Sequence, residues 1–288
     1  MKTPTTHAPA PVDDTLDAAA LAAPTPQRSR PSAFARFGHP RTVRLSLLAL
    51  SVAIALGAWE IAGLVSSNGV LPTVPQVIDW MQHASWSGIW DNVAASWRRV
   101  LVGFGCGVAI ALVVGTVTGW YTKVRLLSDP WIQFFRNVPP LALIPLMIIL
   151  FGLGELPKYV VIGFAAFLPT TVAVQQGVID VDRNLISAAR VLGANQRQIF
   201  ARVVVPAAAP VILVGARLAL GNCWGTLVAA ELIASKSGLG YMTSQGQLYF
   251  SVPEIYVAIL LIGTSGLIMD RVLFVVQQRL TSWQERQG

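Results

Sequence analysis

The amino-acid sequence predicts an all-α membrane protein that crosses the bilayer six times, and three observations carry that prediction. Hydrophobic residues make up 54% of the 288 and charged residues only 12%, where a water-soluble domain holds about 25% charged residues. Six apolar runs, 45–65, 100–120, 131–152, 159–178, 210–234 and 255–277, are long enough to cross about 30 Å of hydrocarbon at about 1.5 Å per residue. The charges concentrate in the first 44 residues and in the polar breaks between the runs. Lipid offers the backbone no hydrogen-bond partner, so each run must be helical.

Along the chain, residues 1–41 are rich in Pro, Ala and Thr and carry Lys2, Arg28, Arg30, Arg36 and Arg41. This composition predicts a disordered cytoplasmic tail. The first long apolar run begins near Leu45, too late and too long for a cleavable secretory signal. A transmembrane domain over 42–283 and a short tail at 284–288 complete the division. In the break at 66–99, Trp86, Trp90, Val93 and Trp97 recur at helical spacing, which predicts a surface helix with its aromatic rings at headgroup level. The second run places Gly103, Gly107, Ala111, Gly115 and Gly119 four residues apart, a face that admits a close helix neighbour. Cys106 and Cys223 both fall inside apolar runs and read as small buried residues.

Polar residues inside spans are costly, and they mark candidate pathways. The third run is interrupted by Arg136, Asn137, Pro139, Pro140 and Pro145. Its prolines remove donors and bend the helix, so the freed carbonyls must face protein or water. The fifth run holds Arg217, Asn222 and Glu231. Arg217 and Glu231 are 14 residues apart, about 21 Å along one helix, and so cannot pair with each other. Arg136, Asn137, Arg217, Asn222 and Glu231 are the candidate translocation-pathway residues.

The net charge of +7 follows from topology and not from a nucleic-acid footprint, since no basic patch is interleaved with base-reading motifs. With the N-terminus cytoplasmic, fifteen Lys and Arg fall on the inner side, four on the outer side and two within spans. That asymmetry puts both termini inside. His7, His39 and His83 all lie outside the runs, which leaves no buried metal or nucleophile constellation.

The segment 182–206 reads as a helix, a break and a second helix. Leu185, Ala188, Ala189 and Leu192 form an apolar stripe, Asp182 is a candidate N-cap and Gly193 a left-handed stop. Asn195 followed by Gln198 opens the next helix as a capping box, and Pro206 closes it ahead of the fifth span. A rigid cytoplasmic elbow results.

With these residues in view, the chain resembles the permease subunits of ATP-binding cassette (ABC) importers. Their cytoplasmic loop carries EAA, three residues, Gly, nine residues, then I-x-L-P, and Ala188, Ala189, Gly193, Val203, Val205 and Pro206 fall in those places. Ser187 stands where Glu is usual, and a hydroxyl cannot form a carboxylate's ion pair. LPTVPQV at 71–77, RNVPPLALIPLMIILFGLGELPKY at 136–159 and GARLALGNCWGTLVAAELIASKSGLGY at 215–241 resemble the nitrate, sulfonate and taurine branch. The resemblance covers roughly residues 45–283.

That resemblance implies a type I importer permease fold in the bacterial inner membrane and a non-catalytic role. It implies as partners a second copy of the permease, two ATPase subunits that bind ATP, and a periplasmic or lipid-anchored solute-binding protein. The coupling loop to the ATPases would be Ser187, Ala188, Ala189, Gly193 and Pro206. The sequence holds no G-x-x-x-x-G-K-[ST] loop, and its four lysines never follow glycine, so this chain does not bind ATP by that chemistry and carries no cofactor of its own. The implied cargo is a small oxyanion such as a sulfonate, taurine or nitrate; related permeases serve bicarbonate or thiamine-precursor pyrimidines. A competing class, an ion-coupled secondary transporter, would need Glu60, Glu231, Asp270, Arg136 or Arg217 as coupling sites. The topology is checked by cysteine labelling: Ser87→Cys and Gln247→Cys are expected to react from the outer side only, and labelling of either from the cytoplasm alone overturns it.

Overall fold

In the computed structural model, residues 41–66 and 71–281 are described, so the tails expected at 1–41 and 284–288 lie outside them except for Arg41, which opens a helix. The chain divides into two units, Met1–Ala55 and Leu56–Gly288. In the first unit the described residues begin the helix α1, Arg41–Val65, which ends in the second unit and is apolar from Leu45 on except for Ser46, Ser51 and Glu60. All other elements belong to the second unit, and among the described residues there is no strand.

The second unit continues with α2, Val74–His83, α3, Trp86–Trp120, and α4, Thr122–Arg136. A short 3₁₀ turn, Pro140–Leu143, leads into α5, Ile144–Phe151, and then comes α6, Leu156–Ile179. Next are α7, Arg183–Val191, and α8, Gln196–Ile199. A π turn at Phe200–Val204 joins α8 to α9, Val205–Ala234, and α10, Leu239–Leu248, and α11, Val252–Leu280, complete the order. Among the described residues, five helical stretches are long and apolar enough to span a membrane, or six if the bent pair at 122–136 and 140–151 is counted as one span. The third apolar run is therefore not one straight helix. Its two halves meet at 86°, because Pro139 and Pro140 lack N–H groups and bar the α region to the residues before them.

Two further expectations are corrected. Trp86, Trp90, Val93 and Trp97 do not form a separate surface helix; they are the opening turns of α3, which runs unbroken for 35 residues. Trp86 and Trp90 are exposed, while Val93 and Trp97 pack on the main core cluster. Cys223 is buried, but Cys106 lies on the outward surface of α3.

The spine of this unit is the contact of α3 with α6, and α9 packs on α6 as well and shares a core cluster with both. The four-residue repeat of small side chains on α3 faces α6. A Cβ built on Gly103 would sit 2.7 Å from Ile162 Cγ2, one on Gly115 2.6 Å from Val174 Cβ, and one on Gly119 2.8 Å from Val178 Cβ. At Gly107 it would collide with the Gly163 carbonyl and approach Ala166 Cβ at 2.8 Å. The two backbones are thus closer than any side chain permits, which in lipid supplies the dispersion contact that hydrophobic burial cannot. α2 is tied to the end of α1 by the Val74 N–H donating to Glu60 Oε2 at 2.8 Å and by Trp59 Nε1 donating to the Pro72 carbonyl at 3.0 Å.

Gly107→Val is expected to pry α3 from α6 and to lower stability by about 1–3 kcal/mol, the range for overpacking a filled interface. Gly105, two residues from Gly103 and from Gly107 and so turned away from that face, has open space around it, and Gly105→Val is expected to be silent. Melting of the detergent-solubilised chain compares the two; equal effects would refute the interface.

Candidate functional site

Of the places in the second unit that carry polar chemistry, the first is the elbow. Asp182 caps α7 by accepting from the Asn184 N–H at 2.8 Å. Gly193 ends it with φ +81°, in the left-handed region where a Cβ is disfavoured. Asn195 and Gln198 exchange the two bonds of a capping box, each at 2.9 Å. Pro206, in contrast, closes nothing. The Val205 N–H reaches back five residues to the Phe200 carbonyl, and the helical stretch from Gln196 runs on to Ala234. The π turn, together with Pro206's place in the first turn of α9, absorbs the missing N–H.

The predicted apolar stripe on the elbow divides. Ala189 is buried with Val181, Ile199 and Val204, whereas Ser187, Ala188 and Leu185 are exposed, and Val191 and Leu192 are 88% and 86% exposed. The caps hold these apolar side chains rigidly on the surface.

The second place is a cavity of about 370 Å³ at the break between α4 and the 3₁₀ turn, walled by α6 and α9. Arg136 is its one charged lining residue, Asn222 and Thr226 add polar groups, and Gly221 and Gly225 leave room beside them. Arg136 and Asn222, 86 positions apart in the sequence, thus share one cavity. Asn137 caps α4 at the same break, but its amide donates to the Gln133 carbonyl at 2.8 Å. Arg217 lies elsewhere. It grips Asp270 of α11 with two bonds of 3.0 and 2.9 Å, reaches Gln277 at 3.2 Å, and stacks over Phe274 at 4.8 Å.

The third place is where Glu231 is found, at the opposite end of α9 from the elbow. Its carboxylate is fully buried and accepts from Arg99 Nη1 at 2.7 Å, Ser96 Oγ at 2.8 Å and the Gly240 N–H at 2.8 Å. Arg99, itself only 1% exposed, turns the other edge of its guanidinium to Glu155 through parallel bonds of 2.7 and 2.8 Å. Lys158 donates to Glu155 at 2.8 Å and to Ser235 at 3.0 Å. Two cations and two carboxylates so close a neutral network that joins α3, α6, α9 and the turn into α10. The hydrogen bond and charge of Arg99 hold the Glu155 carboxyl down at about 2, against the opposing effect of burial. Gly238, at φ +118°, passes its backbone so close that any side chain would strike the Glu231 carboxylate and the Arg99 guanidinium.

The four outer-side charges in the sequence count are Arg98, Arg99, Lys158 and Lys236, and that count gives no hint that two of them close this network. A signal was available: Arg99, Gly103, Gly107 and Ala111 are four residues apart, so Arg99 continues the small-residue face that points into the protein.

The family model described as binding-protein-dependent transport system inner membrane component matches residues 107–282. A probable ABC transporter permease protein of Brucella abortus is 50% identical over 251 residues, covering 86% of this chain and 99% of that protein. The taurine transport system permease protein TauC of Escherichia coli is 36% identical over 255 residues, covering 86% and 92%. Among solved structures, an inward-facing MetNI methionine ABC transporter chain superposes with a TM-score of 0.53 at 19% identity, covering 70% of this chain and 96% of that one.

Removing one member of the buried network leaves its partner charged and unpaired. Arg99→Ala is expected to cost about 3–5 kcal/mol, read as a fall in the detergent melting midpoint, and Arg99→Leu with Glu231→Leu is expected to recover most of it. A double variant no more stable than Arg99→Ala would show that the pairing is not what the fold needs.

Proposed function

The chain belongs to the family of binding-protein-dependent transport system inner membrane components, and on that premise we propose that it imports a small oxyanion, a sulfonate, taurine or nitrate. As an ABC transporter permease it is a non-catalytic, multi-pass membrane subunit. In this reading two copies pair in the membrane, separate ATPase subunits bind to the cytoplasmic face, and a solute-binding protein delivers the anion from outside.

The observation that carries the reading is the elbow. Val191 and Leu192 are almost fully exposed on a segment whose two helix caps and positive-φ glycine leave it little freedom. Apolar side chains held rigidly in water mark a docking surface. The elbow is also continuous with α9 through the π turn, so a displacement at the docking surface passes into a span that walls the cavity. Ser187, beside those residues, is exposed and offers a partner a hydroxyl in place of a carboxylate.

The cavity at the broken span supports the anion. Arg136 is the single charge on its lining, beside the Asn222 amide and the Thr226 hydroxyl, a donor set that suits an oxyanion. Arg217 and Glu231 are already engaged by Asp270 and by Arg99. This pairing disfavours their service as coupling-ion sites in a secondary transporter, which would need groups free to titrate.

Gly193→Val is expected to disfavour the left-handed stop by ~1 kcal/mol or more and to twist the elbow while the spans still insert. In vesicles carrying the chain with its ATPase and binding-protein partners, wild type should take up the anion only with ATP. The variant should accumulate normally, yet lose ATPase co-purification or substrate-stimulated hydrolysis. Coupled uptake at the wild-type rate in the variant would sink the docking role, and uptake driven by an ion gradient without ATP would sink the import mechanism.

A further inference from the structure

Where α3 ends beside the elbow there is a cavity of about 420 Å³ that the transport reading does not use. Val117 and Trp120 of α3 and Tyr121, the residue that caps it, form one side, and Arg197 of α8 and Phe200 of the π turn form the other. Trp120 meets Phe200 edge to face with ring centroids 5.3 Å apart, so the floor is aromatic. The charge lies at one end alone. Arg197 is the cavity's single ionic group, is exposed, and has no ion-pair partner among the described residues. Lys123 and Arg125 follow Tyr121 in the first turn of α4 and likewise have no ion-pair partner among the described residues. The apolar side does not end at the cavity: Val113, one turn further along α3 from Val117, is exposed as well, and the two extend the wall along the span.

We propose that this cavity binds one anionic phospholipid, its headgroup on Arg197 and Tyr121 and an acyl chain along Val117 and Val113. The occupant follows from the two-ended chemistry. A soluble anion would satisfy Arg197 but leave the aromatic floor and the valine wall in water. A zwitterionic lipid would cover the wall but bring no net charge to the guanidinium or to the two basic residues that follow Tyr121. Basic pockets between helices at the membrane boundary take anionic headgroups for this reason, and Trp120 and Tyr121 sit where amphipathic rings favour that boundary. Bound there, the lipid bridges the end of α3 to the elbow joint, so the joint's position responds to the charge of the leaflet.

The site depends only on the chain being in a membrane and is tested without any transport partner. The purified full chain is placed in nanodiscs of phosphatidylcholine alone or with phosphatidylglycerol; lipid retained after extraction is measured by native mass spectrometry, and the melting midpoint is recorded in parallel. Phosphatidylglycerol is expected to be retained preferentially and to raise the midpoint. Arg197→Gln is expected to weaken retention about fivefold, the effect of one basic residue at an anionic surface, and to remove the midpoint difference. Arg183→Gln, at an exposed elbow position outside the cavity, is expected to leave both unchanged. Wild-type retention of phosphatidylglycerol by Arg197→Gln, or equal retention of phosphatidylcholine by wild type, overturns the proposal. So does an equal rise in midpoint when inorganic phosphate is added to the chain in detergent, which would make the site one for a free anion.

Discussion

The close approach of α3 to α6 is the contact on which the other features rest. Gly103, Gly107, Gly115 and Gly119 remove the side chains that would hold the two helices apart, and in a membrane such close packing replaces the water-driven burial that assembles soluble cores. Once the axes are set, the two ends of α3 have fixed neighbours. Toward one end Arg99 is carried to Glu155 and Glu231; at the other, Trp120 is carried to Phe200 beneath the elbow.

The buried network illustrates how strongly the environment constrains charge. An isolated guanidinium or carboxylate with almost no exposure would be prohibitively unfavourable, yet here four charged side chains sum to neutrality. Every arginine donor group is used: Nε and Nη2 on Glu155, Nη1 on Glu231 and the Ser237 carbonyl. Glu231 is completed by a hydroxyl and a backbone N–H. Such a network is rigid, because moving any member exposes the rest to an unpaired state. It ties together the start of α3, the start of α6 and the end of α9. The elbow at the other end of α9 instead joins its span through a π turn, where the helical ladder is locally rewound. The two ends of α9 are thus held differently, one by a closed charge network and the other by a rewound joint.

Between these ends, the break at Pro139 and Pro140 makes the cavity. A continuous third span would have packed its side chains against α6 and α9 and filled the space. The 86° bend leaves Arg136 at the last turn of α4 facing Asn222 on a helix much later in the chain. The charge sits in a cavity because the backbone that carries it could not continue.

Much of this was legible in the residue order alone. Apolar run lengths settled the membrane class, since about 20 residues is a property of bilayer thickness and not of any particular fold. The caps of the elbow were readable because capping is local: Asp182, Gly193, Asn195 and Gln198 act within a few residues of themselves. The glycine face of α3 was readable for the same reason, as a period. What the order could not supply was partnership across distance. Glu155, Arg99 and Glu231 are spread over 132 residues, Arg217 finds Asp270 53 positions away, and the opening turns of α3, read as a surface helix, join the long helix because their far face packs on the core. Pro206 was misread because a proline's effect depends on whether the preceding turn can rewind to accommodate it. Local spacing and composition determine which segments become helices and where they stop; which buried charge meets which is decided only when helix axes pack, because that pairing depends on depth and rotation that no single segment encodes.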